Sequence, residues 1–260
     1  IAWGNTCIIK PSEDTPASVT LLGRLAVEAG FPAGVLIVVN GFGAPAGATL
    51  TGDDRVDRVT FTGSSATGKH VMASAATHLA PVSLELGGKG ANIVFEDADI
   101  DNAIHWAVEA IFRYAGQICL AGSRLFVHSS LYESFMERFV AAAEALTIGD
   151  PFDPATTFSS LASKRHFDKV ASYVESAREL GGTIRTGGVA EDGSWVVRPT
   201  IIDGLALDAA PYCEEIFGPV CIVNRFHSEA EVVAMANDTR YGLNAMLFTE
   251  NLSRAHRVAS

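Results

Sequence analysis

Apolar positions along this chain fall into short runs of three to five residues, separated by longer stretches whose apolar residues recur at helical spacing. Cys7-Ile8-Ile9-Lys10 predicts a strand, and Thr15 to Ala29 a helix ending at Gly30. Val35-Leu36-Ile37-Val38-Val39 is continuously apolar, the form expected of a strand buried on both faces. The turn Gly41-Phe42-Gly43 then leads into a short helix. Asp57 to Phe61 predicts another strand, Ser64 to Ala76 a helix, and Val82 to Leu86 a last strand before Gly87-Gly88. Strand and helix alternating at this pitch imply a parallel sheet covered by helices.

A second series begins after Gly88, so a domain boundary is placed there. It has a strand at Asn92 to Phe95, a helix from Asp99 to Tyr114 and a strand at Arg124 to His128. Helices follow at Leu131 to Leu146 and Lys164 to Leu180, with turns marked by Gly181-Gly182 and Gly187-Gly188. Strands at Val196 to Ile202 and Val220 to Phe226, a helix at Glu229 to Asn237 and a strand at Ala245 to Thr249 complete the pattern. Leu252 to Ser260 reads as a helix that stops before any cap, and residue 1 is not Met, so the chain is expected to be part of a longer gene product.

Composition narrows the function classes. With 260 residues, 48% apolar and 19% charged, the chain can bury one large core or two modest ones. Its formal charge of −11 argues against nucleic acid and against an anionic membrane surface. No apolar run is long enough for a transmembrane helix, and the first residues lack the pattern of a signal peptide. Cys7, Cys119, Cys213 and Cys221 are widely spaced, which suits reduced thiols in a cytoplasmic protein better than a zinc site or a disulfide framework.

Four segments carry candidate chemistry. Phe61-Thr62-Gly63-Ser64 joins a strand to a helix; Ser64 reads equally as a helix cap or as part of an anion-binding turn. The same stretch nearly spells a P-loop at Gly63 to Lys69, but His70 stands where a magnesium-binding hydroxyl belongs. Glu85 ends a strand before two glycines; it is either a solvated carboxylate or a partly buried base. Cys119, in Gly116-Gln117-Ile118-Cys119, reads as a small buried apolar residue or as a nucleophile presented by a turn; the other three cysteines keep the apolar reading. Asp97 to Asp101 is read as a helix N-terminal acidic turn, not a calcium loop, and no metal cluster is expected.

Taken together, the segments resemble the aldehyde dehydrogenase family. The resemblance rests on Gly4-Asn5-Thr6 through Lys10-Pro11-Ser12-Glu13, on Phe61-Thr62-Gly63-Ser64 and on Leu84-Glu85-Leu86-Gly87-Gly88-Lys89. Gly116-Gln117-Ile118-Cys119, Glu214-Glu215-Ile216-Phe217-Gly218-Pro219 and Asn237 to Leu243 complete it. It implies an α/β fold: a partial Rossmann-like, parallel-sheet NAD-binding domain over 1–87, then an α/β catalytic domain over 88–260, incomplete at its C-terminal end. Cys119 is then the nucleophile and Glu85 the base that activates water to release the acid from a thioester. Lys10 and Glu13 are implied at the adenosine ribose, Ser64 at the pyrophosphate and Glu215 with Phe217 at the nicotinamide ribose and ring, with Ser12, Gly43, Gly63, Leu86 and Gly87 as further cofactor-binding positions. Glu13 would repel a 2′-phosphate, which favours NAD over NADP.

Family members extend further at both ends, and a second oxyanion donor lies in a segment upstream of this chain. The resemblance therefore leaves two possibilities: a portion of an active enzyme, acting as a homo-oligomer at full length, or a truncated remnant serving as a binding or structural subunit. Glu214 to Cys221, Gln117 to Leu120 and Tyr241 to Ala259 resemble the muconic semialdehyde dehydrogenase branch, implying an aldehyde substrate that carries a carboxylate. Arg113-Tyr114-Ala115 departs from the family pattern beside the substrate tunnel.

Overall fold

The computed structural model describes residues 1–190 and 193–260, and the chain divides into two compact units, Ile1–Leu86 and Gly87–Ser260. The fold is α/β, with parallel sheets in both units.

In the first unit β1 (Cys7–Ile9) is followed by α1 (Ala17–Glu28) and β2 (Leu36–Val38). A π-helical turn at Gly43–Gly47 runs into α2 (Ala48–Gly52), then come β3 (Val59–Thr62), α3 (Ser65–Ala76) and β4 (Val82–Glu85). Instead of one sheet, the four strands form two parallel pairs, β1 with β2 and β3 with β4. The expectation that residues 35–39 are buried on both faces fails. Leu36 and Val38 are half-buried, while Ile37 is 40% exposed. The cause is one-sided cover: α1 packs on β2, close enough that a Cβ on Gly23 would come within 2.9 Å of Val38. A small core of Val59, Val71 and Ala75 joins α3 to the β3–β4 pair.

The second unit contains β5 (Ala91–Val94), α4 (Ile100–Phe112), β6 (Arg124–His128), α5 (Tyr132–Glu144) and α6 (Lys164–Glu179). It continues with β7 (Thr183–Val189), β8 (Val197–Asp203), α7 (Ala210–Cys213), β9 (Val220–Phe226), α8 (Glu229–Asn237), β10 (Ala245–Phe248) and α9 (Leu252–Ala259). Six strands form one sheet in the order β10-β5-β6-β9-β8-β7, parallel except for the β7–β8 pair. Consecutive residues of β5, β6 and β9 are buried without alternation, so both faces of the sheet are covered. α5 buries Tyr132, Phe135, Met136, Phe139 and Ala143, one stripe at helical spacing. Asp99 caps α4 by accepting from the Asn102 N–H at 3.1 Å, as its place in an acidic N-terminal turn implied.

Two expectations here need correction. Gly187 and Gly188 are not a turn but lie inside β7, at φ +90° and +96°, where the register with β8 shifts. A glycine pair in a bulge gives the same local signal as a glycine pair in a turn. The helix expected to reach Tyr114 ends at Phe112, because Tyr114, Ala115 and Gly116 take left-handed conformations with φ of 53°, 53° and 67°.

Candidate functional site

In the first unit the candidate residues collect where parallel strands end. Lys10 follows β1, and its ammonium donates to the carbonyls of Pro11 and Gly41 at 2.5 and 2.9 Å. It also lies 3.8 Å from the Glu13 carboxylate, so Lys10 and Glu13 are brought together. Ser12, exposed, accepts from the Asp14 N–H, and Gly43 opens the π-helical turn. Ser64 resolves toward the cap reading: its hydroxyl accepts from the Thr67 N–H at 3.2 Å and starts α3. This does not spend the anion-binding capacity of the helix, since the first N–H groups of any α-helix lack intrahelical acceptors. Gly63 donates its N–H to the Glu85 carbonyl at 3.0 Å, which sets the turn beside the end of β4. Leu86 packs on Gly68 of α3, where a Cβ would lie 2.6 Å from its side chain. Of the two readings left open for Glu85, the structure gives the solvated one: the residue is exposed, because it closes a two-stranded sheet.

The second unit gathers its candidates at the opposite end of its strands. Residues 87–90 lead into β5, 117–123 into β6, 214–219 into β9 and 241–244 into β10, and these four strands are parallel neighbours in register. Cys119 is half-buried at this N-terminal edge. Its backbone N–H has no acceptor among the described residues, so thiol and free donor sit on the same residue. Gly88 lies directly against this loop: a Cβ there would be 2.5 Å from the Cys119 carbonyl oxygen. Asn244 donates to the Leu120 carbonyl at 3.0 Å, and Gln117 ties the left-handed turn together through Tyr114 O and the Ala162 N–H. A left-handed non-glycine residue costs about 1–2 kcal/mol, so the Tyr114-Ala115 pair holds strain that burial of Ala115 and these bonds offset.

Glu215 and Phe217 belong to the same assembly. The Glu215 carboxylate accepts from the Gly88 N–H at 3.0 Å, and a Cβ on Gly87 would collide with that carboxylate. One face of α6 holds the segment from outside. Lys169 donates to Glu215 O at 3.1 Å, Tyr173 to the Glu214 carboxylate at 2.5 Å, and His166 bonds the Phe217 carbonyl at 2.6 Å. Phe217 is itself left-handed, with φ 60°.

Sequence reasoning missed the cations beneath this surface. Lys89 is 2% exposed and donates to the Pro211 and Glu214 carbonyls at 2.8 and 2.6 Å. Burial pushes its ammonium down to about 7 from the ordinary 10.5, and neighbouring Arg124 adds to the effect. Arg124, 1% exposed, donates to the carbonyls of Lys89, Met235 and Ala236. The available signal was position: Lys89 stands between Gly88 and Gly90, just before a strand that ends in the apolar run Ile93-Val94-Phe95, where a solvated side chain is out of place. Cys221 is buried, and desolvation pushes its thiol up to about 12. Among the described residues no group of three His, Cys, Asp or Glu is placed to hold a metal ion, and no helix is long and apolar enough to cross a membrane.

The model of the aldehyde dehydrogenase family matches residues 1–260. The chain belongs to that family. It is 48% identical over 267 residues to the 2-hydroxymuconic semialdehyde dehydrogenase of Pseudomonas sp. (strain CF600), covering 100% of this chain and 55% of that protein. It is 43% identical to a 2-aminomuconic 6-semialdehyde dehydrogenase of Pseudomonas sp., covering 100% and 54%. The structure of PnpE in complex with nicotinamide adenine dinucleotide superposes with a TM-score of 0.96 at 45% identity, over 98% of this chain and 53% of that one. The chain thus spans about half the length of the relatives it matches.

Proposed function

We propose that this aldehyde dehydrogenase chain carries the nucleophile and cofactor-gripping residues for NAD-dependent oxidation of an aldehyde to its acid. The observation that carries the reading is the Cys119 backbone N–H, without an acceptor and on the residue that bears the thiol. Attack by the Cys119 thiolate on the carbonyl carbon places negative charge on the former carbonyl oxygen, and this N–H is a donor for it. Loss of hydride from the resulting thiohemiacetal leaves a thioester on Cys119, and Glu85 takes a proton from the water that hydrolyses it.

The residues fit NAD. Glu13, held beside Lys10, accepts from ribose hydroxyls and repels a 2′-phosphate; the start of α3 at Ser64 suits a diphosphate. Ser12 and Gly43 flank these groups, and Gly63 and Leu86 keep the turn and α3 close to the end of β4. In the second unit Gly87 leaves room for the Glu215 carboxylate, whose remaining acceptor capacity suits the nicotinamide ribose, with Phe217 beside it. NAD, when bound, accepts the hydride.

The two semialdehyde-oxidising relatives support a substrate that bears a carboxylate as well as an aldehyde. We place the full-length protein in the cytoplasm as a homo-oligomer, acting on a small molecule. The test follows NADH absorbance with the chain, NAD and a muconic-type semialdehyde, beside Cys119→Ala and Glu85→Gln. Cys119→Ala is expected to abolish NADH formation, and Glu85→Gln to stall after one equivalent. NADH formation that survives Cys119→Ala would sink the reading.

A further inference from the structure

The Glu214–Phe217 segment has donors on both sides, and those beneath it come from a single dipeptide. Lys89, almost wholly buried, places its ammonium against Pro211 O inside α7 and Glu214 O at its C-terminal end. These are the carbonyls that a helix terminus leaves without intrahelical partners, and no other donor reaches them among the described residues. The preceding residue, Gly88, donates to the Glu215 carboxylate and abuts the Cys119 carbonyl. Two consecutive residues therefore fix three points on 211–215 and touch the nucleophile loop as well. Arg124 secures this dipeptide from behind by donating to the Lys89 carbonyl at 3.0 Å.

We propose that Lys89 is a positioning residue: its side chain, anchored on the Pro211 and Glu214 carbonyls, holds the Glu215 carboxylate in place relative to the Cys119 loop. The inference rests on the assignment of Glu215 to the nicotinamide ribose. Lys89 touches neither substrate nor the reacting atoms; it acts through the backbone of 211–215. A long side chain that only filled volume would be replaceable by methionine, which has nearly the same length and no donor. A positioning role predicts that glutamine, shorter but still a donor, serves better than methionine.

The test compares the chain with Lys89→Met and Lys89→Gln by amide hydrogen exchange over residues 211–217 and by steady-state kinetics with varied NAD. Lys89→Met is expected to speed exchange in that segment and raise the KM for NAD, each by at least about tenfold, the scale of one lost charge-assisted hydrogen bond. Lys89→Gln is expected to fall between Lys89→Met and the unsubstituted chain in both readouts. Exchange and KM within twofold of the unsubstituted chain in Lys89→Met, or Met equal to Gln, overturn the proposal. Should Lys89→Met fail to fold, the exchange and KM of Lys89→Gln decide alone, with values unchanged from the starting chain counting against it. If no protein forms NADH, the oxidation reading fails and the ribose role with it. The exchange result then still shows whether Lys89 holds the segment.

Discussion

Replacing Lys89 by methionine also has a pH signature whose sign and size follow from the burial of the ammonium. In the folded chain this group releases its proton at about 7, against 10.5 for an ordinary lysine, a gap worth roughly 5 kcal/mol. The direction is that of a base whose protonated form the fold disfavours. Below pH 7 both states carry the proton and the full penalty is present. Above pH 7 the folded state sheds the proton while the unfolded state keeps it, so stability climbs with pH. From pH 6.5 to 9 the climb is about 2.5 kcal/mol. Past pH 9 the Cys221 thiol opposes it: the unfolded thiol ionises near 9 and the buried one near 12, so its contribution falls with rising pH and offsets the Lys89 climb, which itself ends near 10.5. The charged and titratable groups acting on Lys89 are Arg124, Cys221, Cys213 and Glu215, and the substitution leaves all of them in place.

The assay is urea unfolding at pH 6.5, 7.5 and 9, read by Trp106 and Trp195 in the second unit, with exposed Trp3 of the first unit replaced by Phe. The stability of Lys89→Met is subtracted from that of the Lys89 chain at each pH, which removes every other titration. The difference should move by about 2.5 kcal/mol in favour of Lys89 between pH 6.5 and 9. A difference constant to within about 0.5 kcal/mol across that range refutes the reasoning, since it means Lys89 keeps its proton at an ordinary affinity.

Three other substitutions test particular contacts. Gly88→Ala would set a Cβ 2.5 Å from the Cys119 carbonyl and 3.3 Å from Leu243; it should cost about 1–3 kcal/mol and slow iodoacetamide labelling of Cys119, read by denaturation and peptide mass. Ser64→Ala removes the cap of α3 and should cost about 1 kcal/mol in the first unit, with a weaker affinity for NAD by titration. Gly187→Ala puts a side chain at φ +90° against the Pro199–Thr200 backbone, and should cost more than about 2 kcal/mol by thermal unfolding.

Local patterns carried well into the structure wherever the signal was local. The run 220–226 became β9 and the 3.6-residue stripe of 131–146 became α5, because burial of an apolar face decides both. The strand β7 was hidden, since Thr183 to Val189 alternates weakly and contains a glycine pair, and its pairing with β8 is long-range. The same limit applies to the site. Cys119 and Glu215 stand out in their motifs, but that both sit at the N-terminal edge of one sheet depends on the order β10-β5-β6-β9, which no window of sequence contains. Lys89 does not stand out because lysine is ordinarily a surface residue, while here the carbonyls of 211 and 214 accept from its buried ammonium.

The two units place their candidate groups at opposite strand ends, and the difference has a chemical consequence. In the first unit, turns leaving β1 and β3 offer a cation, a carboxylate and the start of α3, groups that suit a charged, hydroxyl-rich ligand. In the second, the segments entering β5, β6 and β9 approach so closely that Gly88 and Gly116 have no room for a Cβ against neighbouring backbone. Such contact brings main chain, not side chain, to the surface of the site. What it leaves on the residue that bears the Cys119 thiol is a backbone N–H without an acceptor among the described residues, the donor that the proposed chemistry calls for. The buried Lys89 and Arg124 belong to the same arrangement: both donate to carbonyls, those of Pro211 and Glu214 for Lys89 and those of Lys89 and the end of α8 for Arg124.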